Sequence, residues 1–204
     1  MTSALPDNLN IRMPAWLIDM LQTCDDCYPT LKSRMALSIQ LAKNNIEHAS
    51  GGPFAAAVFD MDNHQFIAAG VNLVVATHCS MAHAEMIAIS MAQQRLACFD
   101  LSLSEPQQTG RKSRRLELVT SCEPCAMCFG AIPWSGIKHV ACGARDADAR
   151  AIGFDEGPKM DNWRQALTQR GIAVSTDICR QDAVAVLQYY ALQGGEIYNA
   201  GTTS

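Results

Sequence analysis

Cys125 and Cys128 stand three positions apart in the run Pro124-Cys125-Ala126-Met127-Cys128, a spacing that lets one short turn or helix start present two thiolates to one metal ion. His83, well upstream, can supply a third ligand. Three protein ligands leave a coordination position open, which is the arrangement of a zinc ion that holds water, whereas a structural zinc is normally closed by four. Glu85 follows His83 by two residues and is not needed for coordination. A carboxylate so placed can take the proton of that water. If both cysteines open one helix, its unpaired N–H groups and positive dipole end favour their thiolate forms.

The elements that must carry these residues are legible in the hydrophobic pattern. Met35, Ile39, Ala42 and Ile46 recur at helical spacing and predict an amphipathic helix from Leu31 to about Ala49, ended by Gly51. The continuous apolar run from Phe54 to Phe59 predicts a strand buried on both faces. Turn chemistry from Asp60 to His64 then returns the chain as a second strand from Gln65 to Asn72. Asn72 thus ends a strand and opens the loop that delivers His83.

From Ala84 to Ala92 only Glu85 and Ser90 are polar, so that helix is expected to be buried on more than one side. The segment from about Cys125 to Trp134 is equally dry. Two such helices side by side predict a dimer interface covering them. Strands at Leu116 to Thr120, Lys138 to Gly143 and Ile172 to Thr176, with a last helix from Asp182 to Leu192, complete a three-layer α/β/α sandwich around a mixed five-stranded sheet.

Residues 1–29 read as an extension outside the domain of residues 30–204, with the apolar run Trp16 to Leu21 packed on the body. Their second C-x-x-C, Cys24 and Cys27, has no third ligand nearby and reads as ordinary thiols. The polar interruption from Phe99 to Arg115, which contains Arg111, Lys112, Arg114 and Arg115, reads as a wet loop.

With 204 residues, 49% hydrophobic and 18% charged, the chain suits one well-packed domain. A net charge of −4 provides no basic face for nucleic acid. Nine cysteines, an odd number, without a secretory leader point to a reducing compartment and hence the cytoplasm. No apolar run reaches the roughly 18 residues a membrane span requires.

His83-Ala84-Glu85 together with the run Thr120 to Ile132 resembles the cytidine/deoxycytidylate deaminase superfamily. Gly51-Gly52-Pro53-Phe54, Trp134 and Gly153-Phe154-Asp155-Glu156-Gly157 make the chain most similar to the bacterial guanine deaminases of that fold. The resemblance implies a Zn2+ ion on His83, Cys125 and Cys128, and hydrolytic deamination of a free nucleobase with Glu85 as proton shuttle. For guanine, C2 would be attacked and xanthine and ammonia formed. It further implies that Asn72 and the pair Asp155-Glu156 contact the base, that Glu156 also moves a proton to the leaving amine, and that the enzyme is a homodimer. Trp134 is either a base-stacking partner or a core or interface residue, and Tyr198 either closes the pocket or belongs to an exposed tail. Ammeline or adenosine in tRNA remains an alternative substrate, and a zinc-stabilised scaffold without activity an alternative role.

Overall fold

The computed structural model describes residues 8–103, 113–199 and 201. Strand β1 (Ala55–Asp60) has no polar residue before its last, and its side chains alternate between two apolar layers: Ala56 and Val58 on one side, Ala55, Ala57 and Phe59 on the other. Both sets are fully buried, which suits only an interior strand. β1 pairs antiparallel with β2 (Phe66–Val71) and with β3 (Leu116–Cys122). β3 pairs parallel with β4 (His139–Ala144), and β4 with β5 (Ala173–Ser175), giving the order β2-β1-β3-β4-β5. The mixed five-stranded sheet therefore forms as expected, with strand ends displaced by at most two residues.

Helices cover both faces. On one lie α1 (Ala15–Thr23), α2 (Leu31–Glu47) and α8 (Arg180–Leu192), whose Leu17, Met35, Leu41 and Val186 pack on Ala57, Phe59 and Val119. After β2 comes the short α3 (Val74–Thr77). The other face carries α4 (Ala84–Arg95), α5 (Ala126–Ser135) and, after α6 (Asp146–Ala151), α7 (Trp163–Thr168). Ala88, Ile132, Trp163 and Leu167 meet Val58, Leu118 and Val140 there. Gly70 lets α4 lie directly on β2, since a Cβ at that position would stand 2.5 Å from the Ala84 carbonyl oxygen and the Ala88 nitrogen. That close approach sets the depth of the helix that begins at His83.

A reciprocal cap starts α2: Thr30 Oγ1 accepts from the Ser33 amide at 3.0 Å, and Ser33 Oγ from the Thr30 amide at 3.2 Å. The helix is not stopped by Gly51. It ends at Glu47, and Ala49 turns the chain with φ 51°. Gly51 is needed for another reason, because a Cβ there would fall 2.0 Å from the carbonyl oxygen of Asn72.

The segment from Ala15 to Cys27 is built into the same core. Leu17 is fully buried, Trp16 donates to Ser50 Oγ at 2.8 Å and stacks on His48, and Cys27 bridges Gln65 at the sheet edge. Cys24 and Cys27 donate to the carbonyls of Leu21 and Asn63 respectively. Most of the polar run, residues 104–112 with Arg111 and Lys112, lies outside the described residues; Arg115 pairs with Asp62 at 3.2 Å on the surface. At the N-terminal end of β3, buried Glu117 is shared between Arg34 and His139, the latter at 2.8 Å. The opposite, C-terminal end of β3 leads into the chemistry.

Candidate active site and metal centre

His83 and Cys125 both hold extended backbone at the position just before a helix, α4 and α5 respectively, and Cys128 lies in the first turn of α5. Two helix starts therefore point their unpaired N–H groups at one spot, which favours thiolate. His83 Nδ1 stands 3.4 Å from Cys125 Sγ and 3.6 Å from Cys128 Sγ, and the three ligand atoms lie within 4.8 Å of one another. Zn–N and Zn–S bonds of about 2.0 and 2.3 Å at a tetrahedral angle place nitrogen and sulfur about 3.5 Å apart. The donor set fits zinc in both chemistry and spacing.

The three side chains bias one another's protonation. The Cys125 thiol is lowered to about 4, first because Cys128 donates to it and then because His83 does, against the opposing effect of burial. Cys128 correspondingly keeps its proton. Burial opposes a charged His83, but the adjacent Cys125 thiolate, Glu85 and Glu156 outweigh it and raise the imidazole above its ordinary value.

Glu85, in the first turn of α4, is 7% exposed, and burial, followed by the Cys125 charge, raises its carboxyl. Its Oε1 accepts from Thr120 Oγ1 at 3.2 Å and its Oε2 from Cys128 Sγ at 3.4 Å. Thr120 was missed in the sequence, although a signal was available. Leu116, Leu118 and Thr120 share one face of β3, and Thr120 is the polar member of a row that packs on α4 and α5.

The cluster sits in a cleft of about 340 Å³ whose wall includes Phe54, Asn72, Glu85, Phe154, Glu156 and Tyr198. That volume is within the range of small-molecule sites. Asn72 is 1% exposed; its Nδ2 donates to Tyr198 Oη at 2.6 Å, and its Oδ1 accepts from the Val74 amide at 3.3 Å. Its carbonyl accepts from Asn45 Nδ2 at 2.9 Å, so α2 supports the strand end from behind.

Of the acidic pair, Glu156 is buried at 7% exposure, with its carboxyl pushed up to about 8 by burial and then by the charges of Cys125 and Glu85. Asp155 lines the rim, with a largely exposed side chain that accepts from the Gly157 amide at 2.9 Å and lies near Arg150. Tyr198 comes into the cleft as a packed residue: its ring meets Phe154 edge-on at 5.1 Å, and burial keeps its phenol protonated. Asn199 was also missed; it accepts from the Asp155 amide and donates to the Gly153 carbonyl, both at 2.8 Å.

Trp134 requires a correction. It does not line this cleft but stands 85% exposed beside Phe129, Pro133 and Arg170. The reason is helical geometry: α5 buries Cys128, Ile132 and Ser135, and Trp134, about 200° around from Ile132, faces away. The dryness of α5 is therefore not matched by burial within one chain.

Residues 29–144 match the family described as the cytidine and deoxycytidylate deaminase zinc-binding region. The chain is 35% identical over 119 residues to guanine deaminase from Bacillus subtilis, spanning 58% of this chain and 67% of that one. The solved structure of NE0047 in complex with 2,6-diaminopurine superposes with a TM-score of 0.84 at 45% identity, covering 96% of this chain and 99% of the other. Guanine deaminase from Nitrosomonas europaea superposes with a TM-score of 0.83 at 44% identity, covering 93% of this chain and 100% of that one.

Proposed function

From the membership of this chain in the cytidine and deoxycytidylate deaminase family, we propose that it is a zinc-dependent aminohydrolase that converts guanine and water to xanthine and ammonia. The observation that carries the reading is the convergence of Asn72 and Glu156, buried and far apart in sequence, on the cleft that holds Glu85 and the metal ligands. An amide that both donates and accepts, together with a carboxyl group, suits a ring presenting N–H and amino groups.

His83, Cys125 and Cys128 hold the zinc, which when bound supplies water of lowered pKa, about 7. Glu85 moves one proton, from the attacking water to the ring nitrogen beside C2. Thr120 keeps its carboxylate turned toward the cluster. Glu156, buried in the same cleft, gives a proton to the amine that leaves as ammonia and takes back the remaining proton of the attacking water as the C2 carbonyl forms. Asn72 orients the base, Asp155 borders its rim, and Phe154 and Tyr198 exclude water from above it.

In this reading residues 30–204 form the deaminase domain and residues 1–29 an extension, whose described segment from Ala15 to Cys27 packs on it. The homodimer is supported by the apolar outer face of α5, where Phe129, Pro133 and Trp134 stand partly or largely exposed. A cytoplasmic location is supported by nine cysteines that are all free thiols among the described residues. No described helix is long and apolar enough to cross a membrane.

The test is ammonia release by zinc-loaded protein offered guanine, adenine, cytosine, cytidine, adenosine and ammeline, with Glu85→Ala as the blank. Guanine is expected to be the preferred substrate. Turnover confined to ammeline or adenosine would retain the zinc chemistry and displace the Asn72 and Glu156 assignment, and silence on every amine would leave the scaffold role.

A further inference from the structure

Lys159 lies three residues beyond Glu156, and its side chain is only 6% exposed. A buried ammonium is costly unless its donors are met. Here they are met by groups from separate segments of the fold. Nζ stands 2.9 Å from Asp146 Oδ1 at the start of α6 and 3.6 Å from Glu123 Oε2, and it donates to the Pro124 carbonyl at 3.1 Å. It also sits 5.2 Å over the ring of Trp163, which opens α7.

The Pro124 carbonyl belongs to the peptide bond that enters Cys125, a metal ligand. On the other side, Lys159 is continuous with the loop that carries Glu156, and its own amide donates to the Gly157 carbonyl at 2.9 Å. The Ala126 amide donates to the Glu156 carbonyl, also at 2.9 Å, and Arg150, which shares Asp146, donates to the Gly157 carbonyl at 3.1 Å. Asp146 and Glu123 are themselves linked through the Asp146 amide at 3.2 Å. The ties from Lys159 Nζ and from Ala126 join the metal-ligand loop to the Glu156 loop, and those from Asp146 and Arg150 anchor the two loops to α6.

We propose that Lys159 is a positioning residue for the deamination: its buried ammonium fastens the peptide that enters Cys125 to the loop that carries Glu156. The zinc ligand and the second acid thereby keep one separation through the reaction. This rests on the reading that Cys125 binds zinc and Glu156 faces the base. A displacement of about 1 Å in such a pair is enough to cost about 100-fold in rate.

The experiment compares wild type with Lys159→Met, which keeps the length of the side chain and removes the charge. Two readings are taken: the visible spectrum of the Co(II)-substituted protein, which reports the thiolate geometry, and kcat and KM for guanine on the zinc form. Wild type showing tetrahedral thiolate bands and guanine turnover establishes the underlying reading, and their absence in wild type would remove that reading and this proposal with it. In Lys159→Met the cobalt bands are expected to shift, with kcat falling about 10- to 100-fold and KM changing by less than about 3-fold. A wild-type cobalt spectrum with kcat within about 2-fold of wild type would overturn the proposal. Lys159→Met/Asp146→Asn removes both members of the pair and supplies the same readings if the single variant does not fold. Low kcat and shifted bands in that folded protein support positioning, whereas recovery of stability, spectrum and kcat together reduces Lys159 to a stabilising residue.

Discussion

The hydroxyl of Tyr198 accepts a hydrogen bond from the side-chain amide of Asn72 at 2.6 Å, joining the end of the chain to the end of β2 across 126 positions. The C-terminal segment thereby becomes a wall of the cleft and holds the proposed base-binding amide in one orientation. Gly52 makes room for it, since a Cβ there would lie 3.1 Å from the Tyr198 ring and hydroxyl.

Tyr198→Phe keeps the ring packing on Phe154 and removes only this bond. A single hydrogen bond contributes about 0.5–1.5 kcal/mol, so KM for guanine is expected to rise about 2- to 10-fold with kcat little changed. Steady-state kinetics decide it, and an unchanged KM would separate Tyr198 from base orientation.

Thr120 touches one oxygen of Glu85 and no other described part of the proposed machinery. Thr120→Val is isosteric and is expected to lower kcat several-fold, up to about 10-fold, while zinc content stays at the wild-type level; Thr120→Ser, which retains the hydroxyl, should restore most of the rate. Glu85→Gln sets the scale with a loss of about 10²–10⁴-fold. Equal rates for the valine and serine variants would count against the contact.

Chelation of the zinc should abolish turnover and destabilise the fold. An ion present at about a thousand times its dissociation constant stabilises by about 4 kcal/mol, equivalent to about 10 °C in Tm for a chain of this size. Scanning calorimetry with and without zinc measures the shift. Cys125→Ser is expected to lose both the metal and the shift, and Cys27→Ser, an exposed thiol outside the cleft, to keep both.

The raised carboxyl of Glu156 leaves a signature in the zinc-free protein. Folded Glu156 titrates at about 8 against an ordinary value of 4.5, because it is buried beside Cys125 and Glu85. Its contribution to stability is therefore fully present below pH 4.5 and is lost as pH rises through about 8. Urea titrations at pH 5 and pH 8 should find zinc-free Glu156→Gln gaining on wild type by about 3–4 kcal/mol at the higher pH. A gap that does not change with pH would mean that the acid is not elevated.

The cluster of His83, Cys125 and Cys128 was signalled by residue types and local spacing, because an i, i+3 pair of cysteines needs only a helix start to present two thiols together; that the start of α4 brings His83 to them was decided by packing. The sheet was equally legible, since the continuous apolar run Ala55–Phe59 and the apolar rows of β3 and β4 follow from burial on two faces. What surrounds the metal was decided by contacts between distant segments. Asp155 and Glu156 are adjacent and chemically alike, yet only the turn tied to Ala126 and Asn199 determines that Glu156 goes inward. Trp134 and Tyr198 present the same kind of ambiguity. The buried stripe of α5 turned Trp134 out, and the path of the chain after α8 brought Tyr198 in. Local pattern specifies an element and its faces through steric and hydrophobic periodicity, whereas the partner each face meets depends on long-range closure, which no short window of sequence contains.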